Sequence, residues 1–128
     1  MKIEHLAIWT SDLETLKSFY VKHFGARSNE KYHNPTRQFS SYFLSFESGC
    51  RLELMQVPGL TSHEPVSGYF QGLAHFAISA GSKDEVDRMT EQLRQAGQTI
   101  KGEPRWTGDG YYESVVFDPD GNTIEITI

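Results

Sequence analysis

Residues 3–12, IEHLAIWTSD, decide how this chain folds, because residues 73–82, LAHFAISAGS, say nearly the same thing again. Each stretch alternates as a half-buried strand does, places a histidine before its apolar run, and carries near its end a serine able to open a helix. Further along the chain the echo persists. His5 and His75 lie 70 residues apart, Ser11 and Ser82 lie 71 apart, and Gly25 and Gly97, like Glu53 and Glu125, lie 72 apart. A near-constant offset over most of a chain means two copies of one supersecondary unit.

Strands are expected over 2–9 and 72–79. Each leads into a helix start, Ser11-Asp-Leu-Glu14 or Ser82-Lys-Asp-Glu85, the pattern of a capping box in which serine and glutamate satisfy first-turn amides. Leu13, Leu16, Tyr20 and Phe24 then share one helical face, as do Val86, Met89, Leu93 and Ala96. Gly25 and Gly97 are placed to stop the two helices, since glycine accepts positive φ. Three strands follow in each half, over 27–33, 39–47 and 51–57, and over 98–106, 111–117 and 122–128. The last two are joined by Asp118-Pro-Asp-Gly121, a turn sequence. Residues 58–71 are rich in Pro and Gly and read as a linker. The expectation is an α+β fold, one domain over 1–128, built as two tandem βαβββ modules of about 1–57 and about 72–128.

Strand parity sorts the side chains. His5 and Ala7 oppose Leu6 and Ile8, and His75 and Ala77 oppose Phe76 and Ile78. Glu53 opposes Leu52 and Leu54, while Thr123, Glu125 and Thr127 oppose Ile124, Ile126 and Ile128. The apolar face of each strand can lie under a helix, and the other face then carries one potential ligand per strand. Taken singly, a strand histidine is more often a hydrogen-bonded packing residue and a strand-end glutamate a solvated one. Four of them at equivalent places of two repeats favour a shared cation, because carboxylates turned inward are costly unless paired or metal-bound. Two imidazoles and two carboxylates suit octahedral Ni²⁺ or Co²⁺, then Mn²⁺, with Zn²⁺ at lower coordination. The spare His23, His33 and His63 fall at a helix end, a loop and the linker, where surface roles are expected.

The bulk composition excludes several classes. A length of 128 residues fits one domain. Net charge is −5, and no Lys/Arg cluster offers itself to phosphates, so nucleic acid is not an expected partner. No apolar run reaches membrane-spanning length, and the N-terminal residues lack a signal-peptide core, which makes the cytoplasm the expected location. Cys50 is the single cysteine, so no internal disulfide can form, and it reads as a small packing residue.

The paired βαβββ layout, HLAI, RLEL, AHFAI and the closing DPDGNTIEI together resemble the vicinal oxygen chelate superfamily, and within it glyoxalase I (lactoylglutathione lyase), over essentially the whole chain. The resemblance implies that His5, Glu53, His75 and Glu125 are metal ligands in that family's His, Glu, His, Glu order. It implies a carbon–sulfur lyase that turns the hemithioacetal of a 2-oxoaldehyde, such as methylglyoxal plus a thiol, into a 2-hydroxyacyl thioester through an enediolate. Glu125 is then the base, with Glu53 a ligand and second shuttle. It further implies a homodimer whose barrel-like sites lie at the interface and take one His/Glu pair from each subunit. Glutathione-using members carry Arg and Asn where this chain has Trp9 and Val57, which leaves the thiol open. Arg37, Arg105 and Lys101 are candidates for the lost anion contact. Trp9, Arg105, Trp106 and Tyr111 are the candidate substrate-binding residues, with Tyr32, Phe39, Tyr69 and Phe70 as further aromatics able to line a site. Acyl-CoA epimerases, thiol transferases, extradiol dioxygenases and metal-free drug-binding resistance proteins share this fold and are the alternatives.

Overall fold

Alternation in the first repeat yields a strand, β1 (His5–Trp9), and the helical periodicity after it yields α1 (Leu13–Phe24). In this computed structural model, which describes residues 1–61 and 72–128, there follow β2 (Arg27–Ser28), β3 (Tyr32–Asn34), β4 (Phe39–Ser45) and β5 (Arg51–Gln56). The second repeat gives β6 (Phe76–Ser79), α2 (Lys83–Gln95), β7 (Ile100–Trp106), β8 (Tyr112–Phe117) and β9 (Thr123–Thr127). The chain divides into two compact units, Met1–Val66 and Ser67–Ile128. Most of the expected linker, with His63, Tyr69 and Phe70, lies outside the described residues.

Both units use one strand order. The first sheet runs β1-β5-β4-β2, with β3 also on β4, and the second runs β6-β9-β8-β7. In each, the first strand pairs in parallel with the last, and the remaining pairs are antiparallel. The α+β class with two βαβββ-type sheets is therefore what forms, the repeat in the sequence becoming a repeat in topology.

Several boundaries differ from expectation. β1 and β6 begin at His5 and Phe76, three or four residues later than the expected 2 and 72. The expected single strand 27–33 is two, because its register on β4 slips by one residue between Ser28↔Leu44 and Tyr32↔Ser41. Asn29 fills the slip: its backbone N–H donates to the Phe43 carbonyl and its side-chain oxygen accepts the Phe43 amide at 2.7 Å. His33 thus sits in β3 rather than a loop and shares a hydrogen bond with Ser40 at 2.9 Å.

The first helix cap is Asp12, not Ser11. Its carboxylate accepts the Thr15 amide at 3.0 Å and the Thr15 hydroxyl at 2.7 Å, an anion suiting the positive end of the helix better than a hydroxyl. Glu14 is drawn off instead to Lys17, Lys31 and Tyr42. In α2 the expected cap holds, Ser82 Oγ accepting the Glu85 amide at 3.3 Å, while the Glu85 carboxylate pairs with Arg88 rather than closing a box. Gly25, in the left-handed region at φ 64°, ends α1 as expected.

The core follows the helical stripe. Leu13, Leu16, Phe19 and Tyr20 of α1 are buried beside Leu44, Leu52 and Leu54, and Val86 and Leu93 of α2 beside Val116, Ile124 and Ile126. Met89 is only half-buried and Ala96 exposed, because the α2 stripe turns through Thr90. The buried Thr90 hydroxyl donates to the Val86 carbonyl and shares a hydrogen bond with Ser114 on β8, both at 2.7 Å. The 118–121 turn forms as expected, with the Asp118 carboxylate accepting the Asp120 and Asn122 amides at 3.0 and 2.9 Å. Among the described residues no helix is long and apolar enough to cross a membrane.

Candidate metal centre

With Leu52 and Leu54 committed to the helix side of the first sheet, Glu53 must face the other way. Parallel pairing sets Ala7 beside Glu53, and His5, two residues earlier on the same face, reaches back to it. His5 Nε2 lies 3.7 Å from Glu53 Oε2, the histidine two-fifths exposed and the glutamate mostly covered. The second unit repeats the construction. Ala77 pairs with Glu125, and His75, one residue ahead of β6, brings its Nε2 to 3.1 Å from Glu125 Oε2.

These distances test the donors against a metal. Two donors each about 2.1 Å from one ion stand roughly 3.0 Å apart at a right angle and roughly 3.4 Å apart at the tetrahedral angle. The His75–Glu125 pair at 3.1 Å falls inside that window and fits two neighbouring coordination positions of a borderline divalent ion. The His5–Glu53 pair at 3.7 Å stands wider and must close by a few tenths of an ångström to do so. Among the described residues no three His, Cys, Asp or Glu side chains converge as a metal group. Each unit therefore presents one imidazole–carboxylate pair.

The surroundings of the half-sites differ. In the first unit, His5 Nδ1 is 2.5 Å from the Glu4 carboxylate, which also takes Arg51 Nε at 2.8 Å and the other Arg51 nitrogen at 2.6 Å. The His5 hydrogen bond first, and Arg51 second, hold the Glu4 carboxyl below its usual range. Phe43, beside Glu53 on β4, meets the edge of the His5 ring at 5.5 Å and lies under the Arg51 guanidinium at 4.1 Å. Trp9 shares the His5 face and packs edge-on against Phe39, which in turn meets Tyr32; Trp9 and Tyr32 are each about half exposed. Glu53 thus adjoins an aromatic surface.

In the second unit, Glu113 of β8 sits beside Thr127 and, by parity, on the Glu125 face. It is buried, and its Oε1 takes Arg105 at 3.3 Å. Gly102, alongside, lies close to Val115: a Cβ there would come within 3.2 Å of it. Lys101 and Arg105 both belong to β7, inside the expected strand, and Lys101 lies over the Phe117 ring at 5.1 Å. Trp106 pairs with Tyr112, whose hydroxyl donates to Asp87 of α2 at 2.6 Å. Trp106 is therefore on the helix side of the sheet, ring to ring with Tyr112 at 5.2 Å, away from the Glu125 face. Tyr111, half exposed, closes the β7–β8 hairpin with its carbonyl on Thr107. Arg37 lies in the turn before β4, its amide bonded to Asn34. His23, expected at the surface, is partly buried against Phe19, and that burial lowers its pKa.

Sequence reading missed Glu4, Arg51 and Glu113. A charged residue inside the alternating YESVVF was the available signal for Glu113; Glu4 and Arg51 meet across 47 positions, which no local pattern reveals.

The family described as Glyoxalase/Bleomycin resistance protein/Dioxygenase superfamily matches residues 2–126. The uncharacterized protein YwkD of Bacillus subtilis (strain 168) is 29% identical over 126 residues, covering 97% of this chain and 94% of that protein. Among solved structures, the trypanothione-dependent glyoxalase I of Leishmania major is 27% identical with a TM-score of 0.78, covering 99% of this chain and 86% of its own. A variant of Zea mays glyoxalase I is 25% identical with a TM-score of 0.80 and covers 98% of this chain, which spans only 44% of the maize protein.

Proposed function

The chain belongs to the Glyoxalase/Bleomycin resistance protein/Dioxygenase superfamily, and on that premise we propose that it is a metal-dependent, glyoxalase I-like lyase acting on the hemithioacetal of a 2-oxoaldehyde and a small thiol. The observation that carries this reading is the recurrence of one imidazole–carboxylate pair, His5 with Glu53 and His75 with Glu125, at equivalent places of both modules. A metal-free protein that only sequestered a ligand would have no need of both.

In this reading the four residues hold one divalent ion, Ni²⁺ or Co²⁺ before Zn²⁺ or Mn²⁺, each module supplying half of the set. A homodimer with sites at its interface is the assembly that brings the halves together. When bound, the ion would supply Lewis acidity that makes the C–H beside the substrate carbonyl acidic. Glu125 takes that proton and returns it to the adjacent carbon, a transfer that a carboxylate beside the chelated substrate can reach. Glu53 remains a ligand and a second shuttle. Trp9, with Phe39 behind it, covers the apolar part of the substrate and keeps water out. Arg105, steadied by Glu113, offers a guanidinium to an acidic thiol portion, since Trp9 and Val57 cannot.

The test is metal-loaded protein incubated in D₂O with methylglyoxal and a panel of thiols. A 2-hydroxyacyl thioester from at least one thiol is expected. Deuterium exchange into a 2-methylacyl-CoA with no thioester from any thiol would instead assign the acyl-CoA epimerase alternative.

A further inference from the structure

We propose that Glu4 is a positioning residue for the metal centre, fixing His5 with its Nε2 lone pair beside Glu53 while Arg51 fixes Glu4 in turn. This rests on the metal-dependent reading above. A neutral imidazole carries one proton and one lone pair, and only the nitrogen with the lone pair can bind an ion. A carboxylate 2.5 Å from Nδ1 keeps the proton there and leaves Nε2 as the donor, 3.7 Å from Glu53.

Strand alternation would turn Glu4 away from His5. Glu4 precedes β1, however, and outside the strand its side chain swings round to the imidazole. Two tethers hold it there: the Arg51 amide donates to the Glu4 carbonyl at 3.0 Å, and the Arg51 guanidinium grips its carboxylate. Phe43 completes the frame, its ring nearly perpendicular to the imidazole and in contact with the guanidinium. Glu4, His5, Phe43 and Arg51 therefore determine one ring orientation together.

The second module has none of this. Ala74 stands where Glu4 would be, and by the register of β6 on β9 Thr123 stands where Arg51 would be. Among the described residues His75 has Glu125 alone for an ion-pair partner. The two halves, alike in strand order and ligand type, thus differ in preorganisation, and the proposal places the oriented imidazole in the first.

Metal affinity of the folded protein is the readout, measured by chelator competition with Ni²⁺ and Co²⁺ on protein stripped of metal. Glu4→Ala is expected to weaken binding about 10–100-fold, the usual effect of losing the group behind a metal-bound histidine. Glu4→Gln keeps an acceptor oxygen for Nδ1–H and is expected within a few-fold of the natural chain. The Glu4 side chain is more than half exposed, so neither change disturbs the core. If Glu4→Gln fell as far as Glu4→Ala, the effect would be simple charge attraction and positioning would be overturned. If neither changed affinity while His5→Ala abolished it, Glu4 would be only a surface ion-pair partner and the metal reading would stand. If His5→Ala also left affinity unchanged, the metal reading itself would fall.

Discussion

His75 Nε2 and Glu125 Oε2 stand 3.1 Å apart, although 50 residues separate them in the chain. They meet because β6 and β9, the first and last strands of their module, lie side by side in parallel. The His5–Glu53 pair arises in the same way from β1 and β5.

Glu125 is assigned the proton transfer, so Glu125→Gln, which keeps a carbonyl oxygen but no base, is expected to lower kcat by about 10²-fold or more. Glu53→Gln should lower metal affinity at least as much as turnover. Steady-state kinetics beside metal titration separates the two roles; equal kcat losses with equal affinity losses would remove the distinction.

Trp9 and Trp106 are both exposed tryptophans, but Trp9 shares the face of the His5–Glu53 pair whereas Trp106 lies on the sheet face away from Glu125. Trp9→Ala is expected to raise KM several-fold with metal affinity unchanged. Trp106→Ala is expected to leave KM and kcat near those of the natural chain, and a large KM effect there would move the substrate surface.

The α1 cap gives a direct stability test. Asp12→Ala should lower stability measurably, as the loss of an N-cap does, and Ser11→Ala almost not at all. Chemical denaturation of the two variants in parallel checks it.

Glu14 has its pKa lowered from 4.5 to about 2, chiefly by Lys17 and then Lys31. A depressed carboxyl stabilises the fold where it is ionised, so its contribution is complete above 4.5 and is lost as pH falls from there through about 2. Because the side chain is more than half exposed, the effect is below about 1 kcal/mol. Glu14→Gln should therefore lower the melting temperature slightly at neutral pH, with the difference vanishing towards pH 2. A difference that persisted there would point to packing rather than charge.

The two-module plan was legible because Leu52, Leu54, Ile124 and Ile126 alternate cleanly with Glu53 and Glu125, and the same phrases recur at a fixed offset. Boundaries were less so. Ser11 and Asp12 are both good caps, and only the geometry of the incoming chain chooses between them. The slip at Asn29 depends on a contact with Phe43, which sequence separation hides. The face Trp106 takes was not legible either: β7 carries irregular register on β8, so counting by twos along it does not keep the face.

Parallel pairing of terminal strands also bears on when each half-site comes into being. Bringing residue 5 to residue 53 closes a long loop, whose entropy must be met before the contact rewards it. Each imidazole–acid pair therefore forms only once the first and last strands of its module have met, and a chain stalled between those two strands lacks that module's pair.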